Sequence, residues 1–193
     1  MANNSFLKFL LNSNSVSGFE DEALAIFEEY LKPYSNVFRD NLNNCYAFIN
    51  SSSSKRILIE AHIDEIGFQV TYIDDMGFVY VRQNGGADCA TLPGSIVEIL
   101  TSGNKVVSGV IGKRPIHVQK TEERAKVVEL EDLWIDTGLS KEHVTELISV
   151  GDVVSFQPNF FRLDENRIVS KGLDDKIGAF IIAEVIRDSH KIL

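Results

Sequence analysis

Between about Gly67 and about Asn159 the chain changes texture, and that break constrains its fold more than any other feature. Short β-rich runs alternate there with turn signals, Asp74-Asp75-Met76-Gly77, Pro93-Gly94 and Ser102-Gly103-Asn104-Lys105, as in a small β domain. Two short helical pieces are expected to decorate it, one near Thr121–Val128 and one from Ser140 to just before Gly151. On either side of the break the pattern is α/β. Ser17 and Glu20 have the form of a capping box, after which Phe19, Ala23, Ile26, Phe27, Tyr30 and Leu31 recur at helical spacing until Pro33. Asn43–Asn50 and Arg56–Ala61 are expected as strands joined by the polar tract Ser51-Ser52-Ser53-Ser54. Ile57-Leu58-Ile59 is apolar on both faces, which suits a strand in the middle of a covered sheet and puts Ala61-His62 at its C-terminal end, where open α/β sheets bind ligands. Beyond the break, Arg167–Ser170 predicts a returning strand, and Ile177, Phe180, Ile181, Glu184 and Val185 predict a helix. The chain therefore parses as an α/β domain, residues 1–66 and 160–193, split by a β-rich insertion of residues 67–159.

Composition narrows the classes of function. A chain of 193 residues with 44% hydrophobic content can bury a substantial core. Its 28 acidic and 19 basic residues leave a net charge of -9, which repels phosphate backbones and anionic membranes, so neither nucleic acid nor a membrane is an expected partner. The N-terminus lacks a basic leader, the apolar run Phe6–Leu11 is too short for a signal sequence, and no run approaches a bilayer span. A cytoplasmic location is the expectation. Cys45 and Cys89 form no CxxC pair and are expected as reduced thiols. No GxSxG, Walker, GxGxxG, HExxH or EF-hand pattern occurs.

Two short motifs carry metal-competent side chains at strand ends. In Ala61-His62-Ile63-Asp64-Glu65-Ile66-Gly67, His62 could ligate a metal while Asp64 holds its other ring nitrogen. Equally, it could be a strand-end histidine satisfied by a polar neighbour. In Lys171-Gly172-Leu173-Asp174-Asp175-Lys176-Ile177-Gly178, Asp174 could be a ligand or an N-cap of the helix that follows. His117 in a strand-like piece, His143 in a short helix and His190 near the C-terminus read as surface or structural, and the Glu28-Glu29 and Glu122-Glu123 pairs as solvated faces.

Six segments in order make a stronger pattern: Val16-Ser17-Gly18-Phe19-Glu20, the His62 motif, Gly85-Gly86, Leu133-Trp134-Ile135-Asp136-Thr137-Gly138, Val150-Gly151-Asp152 and the Asp174 motif. Together they resemble the tetrahedral glutamyl, leucyl and deblocking aminopeptidases (peptidase family M42), co-catalytic metallopeptidases, over the N-terminal half of their usual length. The resemblance implies a three-layer α/β peptidase domain, incomplete at its C-terminal side, interrupted by a β-barrel-like domain used for dimerisation. It implies two divalent metal ions in the complete site, zinc or cobalt first among the candidates, and a truncated chain that can lack both. His62 would bind one ion, Asp174 would bridge the two, Asp64 would orient the His62 imidazole, and Asp175 would shape the turn. Gly172, Lys176 and Ser95 stand where alanine, arginine and glutamine are usual, and none of these departures removes a ligand.

The family's Glu-Glu pair, a further aspartate and a late histidine lie well beyond the bridging aspartate, whereas 19 residues follow Asp174 here. Glu184, Asp188 and His190 match nothing in the family pattern. The expectation is an aminopeptidase acting on peptide substrates, a homo-oligomer through its insert, with a truncated chain that is inactive alone and missing ligands encoded downstream. The alternatives are a non-catalytic interaction module and a glycoside hydrolase, which would need two opposed carboxylates.

Overall fold

The computed structural model describes residues 4–50, 52–124 and 126–190. They fall into two compact units, Met1–Glu65 with Pro158–Leu193, and Ile66–Gln157. The first unit begins with α1 (Asn4–Asn12), a helix to which the sequence reading gave no place. Its Phe6 and Leu10 lie one turn apart on a buried face, while Phe9 points to solvent. Next comes α2 (Asp21–Leu31), which buries Ala23, Leu24, Phe27 and Leu31 and stops before Pro33.

The expected capping box does not form. Glu20 is the N-cap without a side-chain cap bond, its carboxylate instead accepting the Gly18 N–H at 2.5 Å. The Ser17 hydroxyl donates to the Asp64 carboxylate, a charge-assisted bond that outcompetes a neutral cap.

The predicted strand Asn43–Asn50 is realised as β2 (Cys45–Phe48), paired antiparallel with β1 (Asn36–Arg39). Asp40 sets the turn between them by accepting the N–H groups of Leu42 and Asn44, each at 2.9 Å. The pleat sends Val37, Cys45 and Ala47 toward the helical core and stacks Phe38 on Tyr46 and Phe48 on the other face. Ser51 of the polar tract lies outside the described residues.

Arg56–Ala61 is not a strand. Residues 55–64 carry neither helix nor ladder, and Ile57, Leu58 and Ile59 are 89%, 81% and 57% exposed. A run apolar on both faces is stable as a strand between two sheet neighbours with cover above and below. Among the described residues no strand pairs with it.

The second unit is a closed barrel. Its strands are β3 (Gly67–Ile73), β4 (Val79–Asn84), β5 (Ile96–Leu100), β6 (Val106–Lys113), β7 (Leu133–Asp136) and β8 (Val153–Phe156), arranged β3-β4-β7-β6-β5-β8 with every neighbouring pair antiparallel. Closure leaves no open sheet edge. Phe68, Val70, Val79, Val97, Ile99, Ile111, Ile135 and Val154 fill the interior, each large apolar side chain contributing about 1.5–3 kcal/mol by burial.

The helical pieces are α3 (Thr121–Arg124), with Ala125 outside the described residues, and α4 (Lys141–Leu147), whose N-cap Ser140 accepts the His143 N–H. Asp152 of the Val150-Gly151-Asp152 segment is buried and pins two loops, accepting N–H groups from Ser102 at 3.0 Å and Ser149 at 2.8 Å.

The chain then returns to the first unit. β9 (Phe161–Arg162), a short strand not anticipated from the sequence, pairs antiparallel with β10 (Ile168–Val169), the returning strand expected over Arg167–Ser170. Last comes α5 (Leu173–His190), with non-helical backbone at Asp174 and Asp175. Its Ala179, Phe180, Ala183 and Ile186 close the core with α1 and α2, where Phe6 stacks on Tyr30 at 3.8 Å. The fold class is thus α/β with a β-barrel insertion, as the change of texture predicts.

Candidate metal centre

Two segments far apart in sequence meet at the site. The first is tied down where Glu65 bridges to Val16 in parallel and donates its N–H to the Ser15 carbonyl at 2.8 Å. The second is the turn into α5, with Gly172 at φ +62. A Cβ there would overlap the Glu65 carboxylate, so glycine is required for both its backbone angle and the space.

His62 sits between two carboxylates. Its Nδ1 lies 3.1 Å from Asp64 Oδ1, and its Nε2 lies 3.1 Å from Asp174 Oδ1. Asp64 is held in turn by the Ser17 hydroxyl. Burial pulls the imidazole pKa down, but the Asp64 carbonyl and the charges of Asp64 and Asp174 outweigh it, and the net shift is upward.

The capping alternative for Asp174 goes to its neighbour. Asp175 Oδ1 accepts the Gly178 N–H at 3.0 Å, the reach of an N-cap. Gly178 leaves room for this, since a Cβ there would come within 2.5 Å of that oxygen. Asp174 is left with its side chain 95% exposed and directed to His62.

A buried ionic cluster adjoins the pair. Glu65 meets Lys171 Nζ at 2.9 Å and Lys176 Nζ at 3.3 Å. Burial lowers the Lys176 pKa to about 8 against the pull of Glu65. The sequence reading gave none of these three a role at the site. The available signal was positional: Glu65 directly follows Asp64, and the two lysines bracket Asp174.

The remaining candidates stand apart from this arrangement. Glu184 is engaged by Tyr30 and Arg187, and Asp188 by Arg187. His117 lies in a short 3₁₀ turn instead of the strand-like piece expected, His143 lies in α4, and the His190 side chain is outside the described residues.

The imidazole and carboxylate donors of this pair fit a divalent ion. Adjacent ligands of a tetrahedral zinc, at about 2.0–2.1 Å from the ion, lie roughly 3.3 Å apart, and the His62 Nε2 to Asp174 Oδ1 spacing is 3.1 Å. Among the described residues no three His, Cys, Asp or Glu side chains are arranged so that they could hold a metal ion together.

The family model for M42 glutamyl aminopeptidase matches residues 43–192. The chain belongs to the M42 glutamyl aminopeptidase family. Among sequence relatives, SgcX of Escherichia coli (strain K12) is 34% identical over 88% of this chain and 46% of its own. The TET aminopeptidase of a marine sediment archaeon of the Thaumarchaeota superposes with a TM-score of 0.90 at 34% identity, over 95% of this chain and 52% of that one. The Pyrococcus horikoshii TET1 peptidase, which can assemble into a tetrahedron or a large octahedral shell, gives 0.84 at 32% identity, over 95% of this chain and 55% of that one. This M42 chain thus spans about half the length of the curated relatives it matches. The family resemblance carried by the six segments is borne out.

Proposed function

We propose that this M42 chain forms part of a metal-dependent aminopeptidase that releases N-terminal residues from peptides, with His62 and Asp174 as donors of a two-metal centre and Asp64 as the residue that orients His62. The observation that carries the reading is the 3.1 Å approach of His62 Nε2 to Asp174 Oδ1, made while Asp64 occupies the other ring nitrogen. Histidine ligands are commonly held this way, with a carboxylate fixing tautomer and ring plane. Bound at such a site, divalent ions supply Lewis-acid polarisation of the scissile carbonyl and a water of lowered pKa.

The chain's own residues prepare for that chemistry without completing it. Asp64 and Ser17 keep the imidazole aimed at Asp174, and Asp175 caps α5 so that the Asp174 carboxylate stays available. A catalytic zinc takes about three protein ligands and keeps an open position, which two donors do not supply. The site's other carboxylates, Asp64, Glu65 and Asp175, are engaged by Ser17 and His62, by the two lysines and by Gly178. We therefore expect the isolated 193-residue chain to cleave peptides poorly, and the second half found in its relatives to bring the base and the remaining ligands. The assembly named for the TET1 peptidase supports a homo-oligomer, and the barrel unit is the part of this chain we propose for its interface.

A chimera joining this chain to the second half of the thaumarchaeal TET aminopeptidase tests the assignment. Release of N-terminal residues that is lost with His62→Ala and with Asp174→Ala supports it. A folded, metal-loaded chimera without peptidase activity contradicts it.

A further inference from the structure

We propose that Glu65 is a positioning residue: by gripping Lys171 and Lys176 on either side of Asp174, it sets the distance between Asp174 and His62. The role rests on the reading of that pair as metal donors. Glu65 Oε1 meets Lys171 Nζ at 2.9 Å and Glu65 Oε2 meets Lys176 Nζ at 3.3 Å, with all three side chains at most 4% exposed. The segment after α1 closes the cage. Lys176 Nζ donates to the Ser13 carbonyl at 2.8 Å, Lys171 Nζ to Asn14 Oδ1 at 2.8 Å, and the Ser15 N–H to Glu65 Oε1 at 3.3 Å.

The chain order gives these bonds their purpose. Glu65 is fused through Asp64 to the His62 segment, and the lysines stand three residues before and two residues after Asp174. One carboxylate thereby fastens the segment that carries the imidazole to both ends of the turn that carries the aspartate. Gly172 lets the turn close onto that carboxylate, because a Cβ would overlap Glu65 Oε2 and lie 3.3 Å from Lys176 Cδ.

Stability alone does not account for three buried charges. Two cations and one anion are costly to desolvate, and well-packed apolar residues of similar volume often hold a fold as well or better. What apolar packing lacks is direction. Ion pairs that are also hydrogen bonds fix the turn in one register, and residues that orient ligands from behind typically change metal affinity about 10–100-fold when altered.

The test uses the 193-residue protein with ¹⁵N-labelled histidine, read by NMR at the ring nitrogens of His62 and by zinc titration of the same signals. The variants are the apolar replacement Glu65→Leu/Lys171→Met/Lys176→Met, the single change Glu65→Gln, and Asp174→Ala as the reference for a broken pair. We expect the apolar variant to keep a cooperative urea transition while its His62 signals move to the Asp174→Ala positions and its zinc midpoint rises at least tenfold. A folded apolar variant with His62 signals at the wild-type positions overturns the proposal. If the apolar variant does not fold, Glu65→Gln decides by the same His62 criterion. If wild-type signals ignore zinc while the variant still shifts them, the metal reading fails and the positioning role stands.

Discussion

His62 Nε2 lies 3.1 Å from Asp174 Oδ1 across 112 residues of chain. Neither residue is buried, with side chains 56% and 95% exposed, so apolar packing is not what brings them together. The surrounding hydrogen bonds hold them, and each bond can be removed separately.

Asp64 is the first to test. Replacing its carboxylate by an amide, Asp64→Asn, removes the charge that fixes the His62 tautomer and weakens the Ser17 bond. Zinc affinity should fall about 10–100-fold with a near-normal urea midpoint. An unchanged affinity in a zinc titration would show that Asp64 does not orient the ligand.

The two adjacent aspartates should separate cleanly. Asp175→Ala removes the cap on the Gly178 N–H and should cost about 1 kcal/mol of stability. Asp174→Ala removes an exposed side chain and should leave the urea midpoint nearly unchanged while abolishing metal binding. Equal destabilisation by both substitutions would mean that Asp174 shares the capping role.

Glu65→Ala leaves two buried lysines without their carboxylate. Breaking a buried pair in this way costs about 3–5 kcal/mol, a large part of a domain's net stability. Chemical denaturation of the variant checks this, and a loss below about 1 kcal/mol, the scale of an exposed pair, would indicate that water reaches the lysines.

The Tyr30 hydroxyl has its pKa pushed up to about 12 by burial, then by its bond to Glu184 and that carboxylate's charge, against the opposing pull of Arg187. The native state therefore holds this proton more tightly than the unfolded chain, whose tyrosine titrates near 10. The contribution is fully present below pH 10 and is lost as pH rises toward 12. Denaturant midpoints should drop over that window by more in the wild type than in Tyr30→Phe, and parallel declines would remove Tyr30 as the cause. The comparison with Tyr30→Phe is needed because Lys176, with its pKa lowered to about 8, adds a contribution of opposite sign between pH 8 and 10.5.

What could be seen in the sequence follows a physical division. The barrel and α2 were legible because alternation with turn signals, and helical spacing ended by Pro33, are local patterns. Ile57-Leu58-Ile59 misled for a non-local reason: its apolar character fits a central strand, but that state needs neighbours, and none is found among the described residues. The Ser17/Glu20 signature likewise fitted a cap until Asp64, 47 residues away, took the hydroxyl. His62 and Asp174 were visible as motifs, but which aspartate caps and which faces the imidazole depended on the backbone at the turn into α5. The Glu65 cluster was hidden because its members look like ordinary charged residues until burial is known.

The central claim is that His62 and Asp174 are donors to one metal site, and the most direct test is elemental analysis, after zinc loading and dialysis, of the chimera with the second half of the thaumarchaeal TET aminopeptidase, prepared with the native residues, with His62→Ala and with Asp174→Ala. Zinc retained by the parent chimera and lost from both variants, with urea midpoints unchanged, is the predicted result. Equal zinc in all three proteins would contradict it.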